Sequence, residues 1–245
     1  MRIAQISDIH ISADGELVDG VDVRETFSWA LAEAERSSAD LLVLSGDLAQ
    51  NPEDAAVYPW IAEQTRQVSM PVMVLSGNHD EPRALARAFG IEHRYRGGVL
   101  LAKQRIGDVV AFGLDTTTAF LSDCQLAWLR QQIESTPGTP IVFLHHPPIP
   151  CGCVFMDTHA PLLESERVWS QLSSIDRLTH VFCGHYHTYK VVERDGIQVV
   201  LCPSTLIQIS QQQTVFTIEH TTPGYIEIDV TGSDIDWRAI YRPHG

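Results

Sequence analysis

Five short stretches of this chain place groups that can bind a metal or move a proton directly behind apolar runs. The densest is Ser76-Gly77-Asn78-His79-Asp80, which follows Pro71-Val72-Met73-Val74-Leu75. An amide, an imidazole and a carboxylate in immediate succession put polar donors at a sheet edge rather than pack a core. Gly-Asn is also a common turn pair, so taken alone the stretch reads equally well as a plain turn. The other four are Asp8-Ile9-His10, Gly46-Asp47, His145-His146-Pro147-Pro148 and Gly184-His185-Tyr186-His187.

Asp8 and His10 lie two residues apart on one predicted strand, which turns both side chains to the same face. His185 and His187 repeat that geometry behind a glycine. The metal-ligating groups are two carboxylates (Asp8, Asp47), one amide (Asn78) and four imidazoles (His10, His145, His185, His187). This set is too large for one tetrahedral ion, but with one carboxylate bridging it supplies four ligands to each of two ions. Mixed nitrogen and oxygen donors suit iron, manganese or zinc rather than calcium.

Such a set works only if the elements carrying it end together. Apolar runs at 3–6, 40–45, 71–75, 140–144 and 180–183 each end in one of the clusters. Apolar residues at helical spacing predict helices over 23–37 (Phe27, Leu31, Ala34), after Pro52 (Val57, Ile61, Val68), over 82–89, over 122–134 (Leu126, Leu129, Ile133) and over 161–172. Two more β-rich runs fall at 99–102 and 109–114, and 149–160 reads as a loop. Beyond 190 the chain changes to short strands without helices, at 191–192, 198–201, 215–218, 225–228 and 235–237. Strand-helix alternation followed by a β-rich third predicts an α/β protein of two packed sheets with helices on the outer faces. In open α/β sheets ligands bind at the carboxyl ends of the strands, so the clusters are expected to share one edge.

With 245 residues, 44% of them hydrophobic and 20% charged, the chain is long enough to bury a large core, and no linker divides it. A net charge of -14 argues against a nucleic-acid polymer or an anionic membrane as partner. An anionic substrate then needs a local attraction, which bound metal supplies. The N-terminal residues lack a secretory pattern and no apolar run approaches the roughly 18 residues of a membrane span, so a cytoplasmic protein is expected. The five cysteines, with Cys183 and Cys202 inside apolar runs, read as reduced core residues. Cys151-Gly152-Cys153 stays open between loop packing and a soft-metal pair.

The five blocks, in this order and rough spacing, resemble the calcineurin-like metallophosphoesterases over residues 1 to about 190. The resemblance implies a four-layer αββα sandwich forming a single domain over 1–245, with the motifs in 1–190 and the β-rich part 191–245 completing the second sheet. It implies a two-metal centre, the first ion held by Asp8, His10, Asp47 and His187 and the second by Asp47, Asn78, His145 and His185. Asp47 is then the bridge. In the family pattern the first histidine of His-His-Pro-Pro is the ligand, which favours His145 and leaves the swap to His146 open. Two divalent ions, two carboxylates and a hydroxide leave a net charge of about +1 to meet a phosphodiester, which explains a neutral amide at 78. The implied reaction is in-line attack on phosphorus by a hydroxide shared between the ions. His79 would stabilise or protonate the leaving oxygen, and Asp80 would orient His79.

Protein phosphatases of this superfamily carry an Arg shortly after the second motif, where this chain reads Gly46-Asp47-Leu48-Ala49-Gln50-Asn51-Pro52, so a phosphoprotein substrate loses support. Cys202-Pro203-Ser204-Thr205, Thr222-Pro223-Gly224-Tyr225 and His145-His146-Pro147-Pro148 resemble the bacterial class III cyclic nucleotide phosphodiesterases, which include glycerophosphodiesterase-like members. The resemblance implies a small phosphodiester substrate such as 3',5'-cyclic AMP, with a glycerophosphodiester as the alternative. A DNA nuclease and a non-enzymatic interaction module are the remaining classes. A homodimer is left open.

Overall fold

The computed structural model describes residues 1–243. Along the chain the elements are β1 (Arg2–Ile6), α1 (Val23–Arg36), β2 (Leu41–Ser45), α2 (Tyr58–Thr65), β3 (Val72–Leu75) and α3 (Pro82–Ala88). Next come β4 (Tyr95–Arg96), β5 (Val99–Leu100), β6 (Ala102–Ile106), β7 (Val109–Gly113), α4 (Asp123–Ser135) and β8 (Thr139–Leu144). Then follow α5 (Val154–His159), α6 (Ser165–Leu172), β9 (His180–Cys183), β10 (Lys190–Arg194) and β11 (Ile197–Leu201). The chain closes with β12 (Gln208–Ile209), β13 (Ile218–His220), β14 (Gly224–Thr231) and β15 (Asp234–Tyr241).

The strands form a five-stranded sheet in the order β15-β14-β1-β2-β3 and a six-stranded sheet in the order β10-β11-β9-β8-β7-β6. Both are mixed. In the first, β1, β2 and β3 run parallel, with Ile3 opposite Leu41 and Leu42 opposite Val72. In the second, β7, β8, β9 and β11 run parallel.

Strands buried on both faces need apolar residues at every position, which is why these runs lack polar alternation. One set of positions packs the two sheets together: Ile3, Leu41, Val43 and Met73 from the first, Ala111, Ile141, Phe143 and Phe182 from the second. Phe182 meets Phe143 in a stacked pair at 5.7 Å and Trp237 of β15 edge-on at 6.0 Å, one contact within a sheet and one across the sandwich. The alternate positions face the helices, with Trp29 of α1 against Tyr225 at 5.9 Å and Trp128 of α4 against Phe112 at 6.2 Å. Helices therefore cover both outer faces, as the αββα expectation requires. Helix starts follow local chemistry: the Asp22 carboxylate caps α1 through the Arg24 and Glu25 N–H groups, and Ser122 caps α4.

Three expectations need correction. The part beyond 190 does not simply complete the second sheet: β10 and β11 do, but β14 and β15 pair with β1 and extend the first. The loop expected over 149–160 contains α5, and the helix expected from 161 starts only at Ser165. No strand forms over 215–217; Val215 and Phe216 are exposed, and the pairing runs instead between β12 and β13.

Candidate metal centre

Asp8 and His10 follow β1, Asp47 follows β2, Asn78 and His79 follow β3, His145 follows β8, and His185 and His187 follow β9. Three elements of one sheet and two of the other thus deliver their carboxyl ends to one place. Backbone bonds lock the ends together: Asp8 N–H donates to Gly46 O and His10 N–H to Asp47 O, both at 3.0 Å, and Gly184 N–H donates to His145 O at 3.0 Å.

The pleat of a strand is not what points the paired ligands inward. Asp8, His10, Asp47, His185 and His187 all lie beyond their strands in the left-handed region, with φ of 56°, 47°, 53°, 68° and 47°. For side chains with a Cβ that conformation costs about 1 to 2 kcal/mol each, and it persists where surrounding contacts impose it. Alternating left-handed residues turn Asp8 with His10, and His185 with His187, toward the same space. Gly77 serves by close approach and not by an unusual turn: a Cβ there would collide with the Asp47 carboxylate. A Cβ at Gly184 would likewise collide with Ser7 Oγ.

Asp8, His10, Asp47 and His187 offer donor atoms within 4.8 Å of one another, and so do Asp47, His145 and His185. Asp47 belongs to both groups. Its Oδ1 accepts the His79 N–H at 2.8 Å, while Oδ2 lies 3.2 Å from His145 Nε2 and 3.8 Å from His10 Nε2. Asp8 Oδ1 lies 3.3 Å from His187 Nε2, and His10 Nε2 faces His187 Nε2 at 3.2 Å. His145 Nδ1 donates to Ser45 O and His185 Nε2 to Ala160 O, each at 3.0 Å, which leaves His145 Nε2 and His185 Nδ1 as the nitrogens whose lone pairs a metal can take when the rings are neutral. His146 bonds Thr116 Oγ1 at 2.9 Å instead, so of the adjacent pair His145 is the one in the cluster.

Two kinds of observation test whether this set fits metal. Asn78 Oδ1 is buried without a hydrogen-bond partner, a costly state that a cation relieves. The titration behaviour agrees. Burial, reinforced by neighbouring imidazoles, pushes His10 down to about 3 and, with His145 beside it, His185 down to about 4, so both are neutral and free to ligate. Burial would raise Asp8 and Asp47, but the adjacent imidazoles prevail and hold Asp8 at about 2 and Asp47 well below the usual carboxylate range. Burial lowers His145 too, yet Asp47 and Asp8 outweigh it and lift it to about 9. A packed array of ionised carboxylates and closely set imidazole nitrogens is what a cationic centre stabilises.

The two expected catalytic residues separate. His79 Nδ1 donates to Gln50 O at 2.7 Å, and its ring stands edge-on to His10 at 4.9 Å. Asp80 does not orient it. Its carboxylate accepts the N–H groups of Leu48, Ala49 and Gly77 and the Tyr58 hydroxyl, at 2.8 to 3.2 Å, and so ties the second and third motifs together. Burial and the charge of Asp47 raise Asp80 to about 6 against those donors.

Cys151 and Cys153 are buried, and burial pushes both thiols up, Cys153 to about 11. Both pack into the apolar core, and among the described residues neither belongs to a cluster of three or more metal-ligating side chains. The tail motif at Ser204 braces the site, its Oγ donating to Asp8 O at 2.9 Å. Gln50 O, Tyr58 and Ala160 O were not singled out from sequence; two of these are backbone groups, which carry no signature of residue type.

Comparison with known proteins agrees with this geometry. The sequence profile of the calcineurin-like phosphoesterase family matches residues 1–189. A protein of Fibrobacter succinogenes named "Probable cyclic nucleotide phosphodiesterase" is 36% identical over 92% of this chain and 88% of its own length. The 3',5'-cyclic adenosine monophosphate phosphodiesterase CpdA of Escherichia coli K12 is 31% identical over 94% of this chain and 85% of its own. A dimetal phosphatase of Danio rerio shares the fold at a TM-score of 0.69, with 13% identity over 98% of both chains. With motifs, sandwich and ligand clusters all in the family's order, the chain belongs to the calcineurin-like phosphoesterases.

Proposed function

We propose that this chain is a two-metal phosphodiesterase that hydrolyses a small cyclic nucleotide, with 3',5'-cyclic AMP as the leading substrate. The observation that carries the reading is the pair of ligand clusters sharing Asp47, together with relatives of 31% and 36% identity whose names describe cyclic nucleotide phosphodiesterases. The whole chain is read as one catalytic domain. Asp8, His10, Asp47 and His187 would hold one ion, and Asp47, Asn78, His145 and His185 the other. Iron, manganese and zinc all suit these donors. Two ions bound there supply Lewis-acid chemistry, lowering the pKa of water toward about 7 and drawing charge from the phosphoryl oxygens.

The chain's own residues do the rest. Because a carbonyl only accepts, His79 Nδ1 carries a proton toward Gln50 O, which leaves Nε2 to hand a proton to the leaving oxygen when the ring is charged. Asn78 supplies an oxygen without a charge, which keeps the centre net positive toward a phosphodiester. An open cleft of about 440 Å³ adjoins His79 through Gln50, and Asp14, Glu16, Asp19 and Asp54 line it. Such a wall repels further phosphates and supports a mononucleotide over a nucleic-acid polymer. No helix is long and apolar enough to cross a membrane among the described residues. All five cysteines are free, which supports a reducing, cytoplasmic setting.

A substrate panel tests this reading: 3',5'- and 2',3'-cyclic AMP, a glycerophosphodiester, a phosphomonoester and single-stranded DNA, each with manganese, iron or zinc added to stripped protein. The expected preference is for a cyclic nucleotide. Preference for the monoester sinks the phosphodiesterase reading.

A further inference from the structure

The segment 151–160 is bound to the residues around His185 and His187 by three routes, one of them Lys190 Nζ donating to Gly152 O at 2.9 Å. Ala160 O accepts from His185 Nε2 at 3.0 Å. Gln211, whose carbonyl accepts the Val154 N–H at 2.9 Å, donates through Nε2 to Thr188 Oγ1 at 2.9 Å and to Tyr189 O at 3.1 Å. One side chain closes the segment on itself. Asp157 Oδ1 accepts the Cys151 N–H and Oδ2 the Cys153 N–H, each at 2.9 Å, which folds the chain over Gly152 at φ +72°. Tyr186, between the two histidines, lies beside the same carboxylate; burial and then Asp157 push its ionisation up.

We propose that Asp157 is a positioning residue for the second metal site. By holding 151–160 closed it keeps the Ala160 carbonyl on His185 Nε2, which fixes the tautomer and leaves Nδ1 as the atom available to a metal. The inference rests on reading His185 as a ligand. A metal-binding imidazole is oriented by the acceptor on its other nitrogen, and loss of that acceptor typically costs about 10- to 100-fold in metal affinity. A backbone carbonyl cannot be deleted by substitution, so the residue that places it is the handle. Without the Asp157 carboxylate two backbone N–H groups lose their acceptor, the turn over Gly152 opens, and Ala160, at the end of the six-residue helix α5, is released from His185.

The test is titration of the metal-stripped full chain with manganese(II), following free ion by electron paramagnetic resonance, together with nitrogen-15 correlation spectra of the histidine rings in the metal-free protein. Wild type is expected to bind two ions and H185A one. D157A is expected to bind the first ion as wild type does and the second about 10- to 100-fold more weakly, with loss of the His185 Nε2–H signal. D157N, which keeps the volume and one acceptor, is expected to fall between. Retained first-site affinity shows that the variants are folded. The proposal is overturned if D157A binds both ions like wild type, or if it loses both together, since Asp157 would then serve only the fold. If H185A itself keeps two tight ions, the ligand reading has failed, and that result is distinct because no substrate enters the assay.

Discussion

The backbone N–H of His79 donates to Asp47 Oδ1 at 2.8 Å. That bond spends one oxygen of the shared carboxylate and leaves Oδ2 alone to face His145 and His10. It also joins the residue proposed to serve the leaving group to the residue proposed to bridge the metals, through a backbone group that no side-chain substitution removes.

Replacing the His79 side chain should therefore damage turnover and spare the metals. For His79→Asn we expect cyclic nucleotide hydrolysis to fall about 10²- to 10⁴-fold, the usual scale for a general acid. Bound metal per chain, measured by elemental analysis, should remain that of wild type. Full turnover in this variant would remove His79 from the reaction.

Asp80 should behave differently, because four donors converge on its carboxylate and none belongs to His79. Asp80→Ala leaves buried donors unpaired at about 1 to 3 kcal/mol each. A loss of at least about 3 kcal/mol is expected, seen as a thermal midpoint lower by about 6 to 12 °C. An unchanged midpoint with lost activity would restore the orienting role.

Metal binding should release a proton in a defined window. In the metal-free protein His145 is lifted to about 9 by Asp47 and Asp8, although burial opposes them. It is charged at neutral pH, and a ligand must be neutral. The affinity for the second ion should then rise about tenfold per pH unit between roughly 7 and 9 and level off above. His10 and His185, already depressed to about 3 and about 4, release nothing. Calorimetric titration in buffers of different ionisation enthalpy counts the protons; none released at pH 7 would contradict this placement of His145.

That Asp8, His10, Asp47, His145, His185 and His187 come together was readable from sequence because each is a distinctive residue type just past the end of an apolar run. Their backbone conformations were not readable. Left-handed geometry at Asp8 or His187 is imposed by bonds such as Asp8 N–H to Gly46 O, which link residues far apart in the chain. Asp80 misled for the same reason: adjacency to His79 suggested a partnership, whereas the donors that reach it come from Leu48 and Tyr58. The division of β10, β11, β14 and β15 between two sheets escaped because an apolar run shows that a strand is buried, not which neighbour it pairs with.

A charge at position 78 offers a separate check. Asn78→Asp should still bind two ions but lower kcat/KM for a cyclic nucleotide by about tenfold or more, because the added carboxylate cancels the attraction for a phosphodiester. Retained kcat/KM would show that the neutral amide has no electrostatic role.

The central claim is a phosphodiesterase that needs two ions, and rate against ions bound tests it most directly. Stripped protein is titrated with manganese(II) while bound ion and 3',5'-cyclic AMP hydrolysis are followed together. Turnover is expected to appear with the second ion, at two per chain. Full turnover with one ion bound, or none at two, would contradict the claim.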